Sequence, residues 1–200
     1  AMRHRWTAAQ LEPAIKKTAD GRALAIIAPG NLTLLAVLIK LYRKYHIPFI
    51  FDPGQQMTAI PLKLFREAMS WCNMFISNEY EFGLAAKRLG LSSATLRDRL
   101  PISITTFGPK GSEVYNHGKR EVKVSAISVR KAVDPTGAGD AYRAGLLKGL
   151  ALGYNLEIAA ASGTVAASYC VAVAGTQAHS FTYQEFLERG RRHFGQKFMA

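Results

Sequence analysis

The stretch Asp134-Pro135-Thr136-Gly137-Ala138-Gly139-Asp140-Ala141-Tyr142-Arg143-Ala144-Gly145 gathers the residue types best suited to chemistry in this chain. Gly137 and Gly139 flank one small residue, so the backbone can turn tightly and bring amide N–H groups close to a ligand. The pattern predicts that a helix starts at once, about Ala138. The unpaired N–H groups and positive dipole end of such a helix favour an anion. Asp140 sits inside this phosphate cradle, where a site built only to hold phosphate would repel it. Its charge makes sense if it accepts a proton from an attacking hydroxyl while the amides hold the transferring phosphoryl group. Capping the helix is the plainer role for an aspartate here, and both stay open at this point. Arg143, one turn on, suits either a phosphate contact or an ordinary place on the helix surface.

Two further segments have types and spacing that fit the same chemistry. Asn78 is expected at the C-terminal end of a strand, where open α/β sheets place their ligands. Glu81 lies one helical turn beyond it, able to face the same crevice. One carboxylate acting through water suffices for a hard dication, although a Glu-rich helix start is also ordinary capping. Thr106-Phe107-Gly108-Pro109-Lys110-Gly111 reads as a glycine-bearing turn between a strand and a hairpin. No GxxxxGK[ST] string occurs, which disfavours a P-loop ATPase, and the HRD and DFG strings of protein kinases are also missing.

These segments need elements to position them, and the chain alternates strand-length apolar runs with helix-patterned stretches. Strands are predicted at Ala25–Ala28, Ile47–Phe51, Met74–Ser77 and Ile102–Thr106. Helices are predicted over Leu32–Tyr45, capped by Asn31, and over Pro61–Met69 and Glu79–Leu89. Repeated strand–helix–strand units point to a mostly parallel sheet covered by helices on both faces, a three-layer α/β fold. A hairpin follows, with strands at Glu113–Tyr115 and Glu121–Val124 and a turn at Asn116-His117-Gly118. Helices then run about Ala138–Leu152, Leu156–Val173 and Tyr183–His193, the last capped by Thr182. There is no internal repeat and no linker, so residues 1–200 read as a single domain.

Bulk properties bound the alternatives. With 200 residues and 48% hydrophobic content the chain can bury a substantial core. Cys72 and Cys170 stand far apart in no metal-like spacing, and no secretory segment is evident, so a reduced cytoplasmic protein is expected. The long uncharged run Ile158–Gly175 contains Ser162, Gly163, Thr164, Ser168 and Tyr169 and reads as a buried helix rather than a membrane span. The net charge of +12 invites a nucleic-acid partner. The basic residues are spread in short groups such as Lys16-Lys17, Arg43-Lys44 and Arg191-Arg192, and a solvated basic surface that also draws a polyanionic nucleotide is the expectation. His4, His46, His117, His179 and His193 show no paired metal-ligand spacing, which disfavours a metal hydrolase.

The string DPTGAGDAYRAG resembles the C-terminal signature of the ribokinase-type (PfkB) carbohydrate and nucleoside kinases. The resemblance implies a ribokinase-like fold, with Asp140 as catalytic base and Gly137, Ala138 and Gly139 as the anion hole. It likewise relates Asn78 and Glu81 to the family's NxxE motif, with Glu81 serving Mg²⁺ through water. Thr106, Gly108 and Gly111 match its TxGxxG loop, which lies along the nucleotide. Asp134 and Thr136 match positions that help bind a monovalent cation such as K⁺, together with carbonyls near Ala174 and Gly175. ATP, Mg²⁺ and K⁺ are the implied cofactors.

Phe51-Asp52-Pro53-Gly54-Gln55-Gln56, Asn78-Glu79-Tyr80-Glu81, Ala166 with Ser168-Tyr169-Cys170, and Gly175-Thr176-Gln177 look most like bacterial adenosine-kinase-like members. A nucleoside is therefore the first choice of acceptor and a sugar the second. Relative to that family the chain begins about one third of the way in, so the first strands and the small β lid are expected to be absent from it. An acceptor site without its lid is open to water. A catalytically inactive nucleotide-binding fragment or remnant with an interaction role is accordingly the second reading; apolar sheet edges that need covering are expected, and a homo-oligomer or a missing N-terminal segment is the partner expectation.

Overall fold

The structure, a computed structural model, describes residues 6–199 apart from residues 20 and 22. His4 lies outside the described residues. In chain order the elements are α1 (Ala8–Lys17), β1 (Ala25–Ile27), α2 (Leu32–Lys44), β2 (Phe49–Phe51), α3 (Leu62–Trp71), β3 (Met74–Asn78) and α4 (Glu79–Leu89). There follow α5 (Ser93–Arg99), β4 (Ile102–Thr106), β5 (Ser112–Asn116), β6 (Lys119–Val124), α6 (Ala138–Ala151), α7 (Leu156–Cys170) and α8 (Tyr183–Phe194). The six strands form one sheet in the order β1-β2-β3-β4-β5-β6. β1 pairs parallel with β2 and β2 with β3, in registers such as Ile26 opposite Ile50 and Ile50 opposite Met74. The sheet with its helices is the α/β architecture that alternating apolar strands and helices require.

By contacts the described residues fall into two compact units. One holds the chain up to Thr105 together with Tyr115–Lys119, and the other holds Thr106–Val114 with the chain from Arg120 onward. β5 contributes residues to both.

The first unit is built on aromatic packing. Phe49, Phe51, Phe65, Phe75 and Phe82 are all fully buried. Phe51 meets Phe65 at 5.9 Å and Phe75 at 6.2 Å between ring centroids. Such tilted pairs add roughly 0.5–1.5 kcal/mol beyond area burial. β2 is buried on both faces, as a parallel strand covered by helices must be. Asn31 caps α2 by accepting from the Thr33 and Leu34 amides. Arg88 on α4 donates to the Met57 and Ile60 carbonyls and lies over the Phe65 ring at 4.8 Å, which locks the short 3₁₀ turn Gly54–Ala59 against the core.

The second unit is dominated by α7, whose residues from Ala159 to Ala166 are all buried. The uncharged run therefore makes an interior helix, and among the described residues no helix is long and apolar enough to cross a membrane. α6 crosses α7 at close range through glycines. A Cβ at Gly145 would fall 2.4 Å from the Ser162 carbonyl oxygen, and one at Gly163 would fall 2.7 Å from the Tyr142 carbonyl oxygen. On α8, Phe186 is buried, and Phe181 stacks between it and Tyr169.

Three α-helices depart most from the sequence expectation. α1 and α5 were not expected, because neither carries a strong apolar stripe: α1 buries no residue and α5 buries only Leu96. α7 ends at Cys170 rather than Val173, because the chain turns back there, with the Ala172 amide on the Tyr169 carbonyl and the Val173 amide on the Cys170 carbonyl.

Candidate active site

The start of α6 is set by Gly137, which stands at the N-cap in the left-handed region with φ 85°. A side chain there would be strained, and its Cβ would lie 3.1 Å from Thr176 Cα. The Ala138 amide closes a turn on the Pro135 carbonyl at 3.1 Å, and the Ala141 amide makes the first helical bond to Gly137 at 2.9 Å. No side chain caps this N-terminus. It thus contrasts with α4, α7 and α8, whose first turns are capped by Asn78, Asn155 and Thr182. An exposed helix start without a side-chain cap is a place where an anion can take the amides.

Asp140 occupies the third position of α6 and does not cap it. Its side chain is 75% exposed and pairs with Arg143, which is 21% exposed. Asp140 is therefore a solvent-accessible carboxylate in the first turn of a helix with no side-chain cap, with a guanidinium one turn away.

The turn that leads into α6 is tied to the segment after α7. Asp134 accepts the Thr136 amide at 2.9 Å on one oxygen and the Gly175 amide at 3.0 Å on the other. The Thr136 side chain, then the Thr136 and Gly175 amides, hold the Asp134 carboxyl below the usual carboxylate range. The buried Cys170 thiol donates to the Thr136 carbonyl at 3.5 Å, with the Thr176 carbonyl at 4.0 Å. Burial, followed by the charges of Asp134 and Asp140, pushes this thiol up, so it acts as a weak donor and not as a thiolate. Asp134, the Thr136 and Thr176 carbonyls and Gly175 thus meet in one place, rich in oxygen.

The glycine loop also belongs to this unit. Its Phe107 amide donates to the Gly111 carbonyl at 2.8 Å, and its Gly111 amide to the Gly108 carbonyl at 3.0 Å, so the loop closes on itself. Gly111 has φ 93°, and a Cβ there would fall 2.0 Å from the Val124 carbonyl oxygen. Only glycine lets the end of β6 pass this close. Next to it, Ser112 accepts a hydrogen bond from the Tyr142 hydroxyl at 2.9 Å, both side chains being buried. The glycine loop and the Asp140 helix are thereby joined. Sequence reasoning missed this link: a tyrosine two residues past Asp140 carries no signal of what its hydroxyl reaches.

Asn78 and Glu81 lie in the other unit and are brought together with each other. Asn78 Oδ1 accepts the Glu81 amide at 2.8 Å, and Glu81 Oε2 accepts the Asn78 amide at 3.0 Å. This is a capping box, which satisfies two donors at the start of α4. The capping role foreseen for this pair is what its geometry displays. Among the described residues no group of three or more His, Cys, Asp and Glu side chains could hold a metal ion.

One charged feature went unforeseen. Arg130, Lys131, Arg189 and Arg192 line a cleft of ≈ 760 Å³ in the second unit, and among the described residues no carboxylate lines it. The residues that precede the Asp134 turn thus concentrate part of the basic charge that looked evenly spread along the chain.

The sequence profile of the pfkB family carbohydrate kinases matches residues 5–182. A nucleoside kinase of Methanocaldococcus jannaschii is 34% identical over 143 residues, which cover 72% of this chain and 47% of that protein. A ribokinase of Bacillus subtilis is 32% identical over 149 residues, covering 74% and 48%. Among solved structures, the Burkholderia thailandensis nucleoside kinase in complex with ADP-inosine superposes with a TM-score of 0.81 at 27% identity, covering 91% of this chain and 59% of that one. The chain spans about half the length of the curated relatives it matches.

Proposed function

The chain belongs to the pfkB family of carbohydrate kinases, and on that footing we propose that it transfers the γ-phosphoryl group of ATP to a hydroxyl of a nucleoside. The observation that carries this reading is the first turn of α6, a helix start with no side-chain cap and an exposed carboxylate at its third position. The M. jannaschii relative and the B. thailandensis neighbour, both nucleoside kinases, favour a nucleoside over a sugar as acceptor.

In this reading Asp140 takes the proton of the acceptor hydroxyl. The freed oxygen pair forms the new bond to the γ-phosphorus, and the bond from that phosphorus to the bridging oxygen breaks, its electrons leaving with ADP. The amides of Gly137, Ala138 and Gly139 hold the charge on the transferring group, which is where preorganised donors act most strongly. Arg143, paired with Asp140, is placed to turn to phosphate when nucleotide arrives. Thr106, Gly108 and Gly111, in the same unit as Asp140, would lie along the nucleotide.

The residues present are compatible with two cations. Glu81, already accepting one amide, retains the oxygen character that suits a water-mediated Mg²⁺. The carbonyls of Thr136 and Thr176 beside Asp134 suit K⁺. Bound Mg²⁺ would neutralise charge on the β- and γ-phosphates.

The test is ATP-dependent phosphorylation of adenosine, inosine and ribose by this chain with Mg²⁺ and K⁺, together with ATP titration by calorimetry. Phosphorylated nucleoside is the expected product. Phosphorylation of ribose alone would move the acceptor to sugars, and the absence of ATP binding would overturn the nucleotide site.

A further inference from the structure

We propose that the Tyr142 hydroxyl is a positioning group that holds the nucleotide loop 106–111 in register with the first turn of α6. The proposal rests on the nucleotide reading above and deepens it.

The argument starts from what a buried hydroxyl requires. Tyr142 is 5% exposed and Ser112 is 1% exposed. Each would lose its water on folding without recompense if it were alone, so a phenylalanine and an alanine would fill the same space more favourably. The two hydroxyls meet at 2.9 Å, which resolves both deficits. The choice of tyrosine is thus explained by the bond and not by the volume of the ring.

The bond joins the two pieces of backbone that would have to be held together around a triphosphate. Ser112 directly follows Gly111, the end of a loop closed on itself by the Phe107–Gly111 and Gly111–Gly108 bonds. These bonds tie the end of the loop back to its start. Tyr142 lies two residues past Asp140. Its own position is fixed from behind, because Gly163 on α7 packs so closely that a Cβ there would lie 3.0 Å from the tyrosine ring. A side chain with its ring immobilised against α7 and its hydroxyl on Ser112 passes the position of the α6 turn to the loop. Tyr142 touches no reacting atom in this arrangement. It acts through the loop.

The experiment compares this chain with Tyr142→Phe, Ser112→Ala and the double variant, measuring ATP affinity by calorimetry and thermal stability in parallel. The single variants are expected to weaken ATP binding roughly 3- to 10-fold, the worth of a typical hydrogen bond. The double variant tells positioning from stability. Replacing both partners by apolar groups should return the melting temperature toward that of the unaltered chain, while ATP affinity stays reduced because the link is gone. Should ATP affinity return with stability in the double variant, or stay within twofold of the unaltered chain in both folded single variants, the proposal is overturned. The unaltered chain's own titration separates the two readings. If it binds ATP and the variants match it, this proposal alone falls. If it binds none, the nucleotide site falls and takes the proposal with it.

Discussion

In the proposed reading Asp140 is the residue on which the chemistry turns, and its place in α6 is not that of an N-cap. A capping aspartate precedes its helix and turns its oxygen onto an amide of the first turn. Asp140 stands inside α6, exposed and paired with Arg143. Asp140→Asn keeps the size and most of the polarity of the side chain and removes its capacity to take a proton. Transfer is expected to fall by about 10²–10⁴-fold, the usual contribution of a general base, with ATP affinity within a few-fold. A steady-state assay beside a nucleotide titration decides it, and an unchanged rate would remove Asp140 from the role. The helix start at Ala138 was legible because Pro135, Gly137 and Gly139 mark it in the sequence itself. The reason for Gly111 was not. What crowds it is the Val124 carbonyl, thirteen residues on, and no local pattern announces that approach.

At the scale of elements, the position of Asp140 depends on how closely α6 approaches α7. Gly163→Val would drive a side chain into the Tyr142 carbonyl and ring, both within about 3 Å of even a Cβ. The expected cost is roughly 2–4 kcal/mol of stability, as for other overpacked or backbone-blocked sites. Gly83→Ala on α4 is the control: it is exposed with nothing within 4 Å of its Cβ, so it should be neutral or stabilising by up to about 1 kcal/mol. Chemical denaturation of the two variants checks the contrast, and equal effects would refute the close-crossing argument.

The capping box on α4 calls for a different separation. Glu81→Gln preserves the cap, since glutamine accepts the same amide, so stability should shift by less than about 0.5 kcal/mol. If Glu81 also orders Mg²⁺, the Mg²⁺ concentration needed for half-maximal transfer should rise, and an identical titration would confine it to capping. The capping pair was legible as Asn-x-x-Glu after an apolar run. The early end of α7 was not, because Val171, Val173 and Ala174 continue its apolar composition while the backbone already turns toward Asp134.

For the molecule as a whole, 26 Lys and Arg against 14 Asp and Glu leave a strongly basic balance, while buried acids bear on stability at alkaline pH. Composition gave warning of the first and none of the second, because burial is a property of the finished core. Cys72 is 3% exposed and Tyr142 5% exposed, and burial pushes each up to about 12, from ordinary values of 9.0 and 10.0. Both groups are uncharged when protonated, so folding favours their protonated forms. Above pH 9 the unfolded chain releases the Cys72 proton while the folded chain keeps it, and above pH 10 the same holds for Tyr142. The unfolded state then binds fewer protons, so stability falls as pH rises, by as much as about 1.4 kcal/mol per pH unit for each group, levelling off near pH 12. Cys72 belongs to the first compact unit and Tyr142 to the second, so neither unit escapes. Urea denaturation at pH 8, 9.5 and 11 should show this decline, and Cys72→Ala should make it shallower between pH 9 and 11 even though it lowers stability at pH 8. A decline of the same slope in the variant would mean that the Cys72 thiol titrates alike in the folded and unfolded chains, and that its burial is less complete than its place in the hydrophobic core requires.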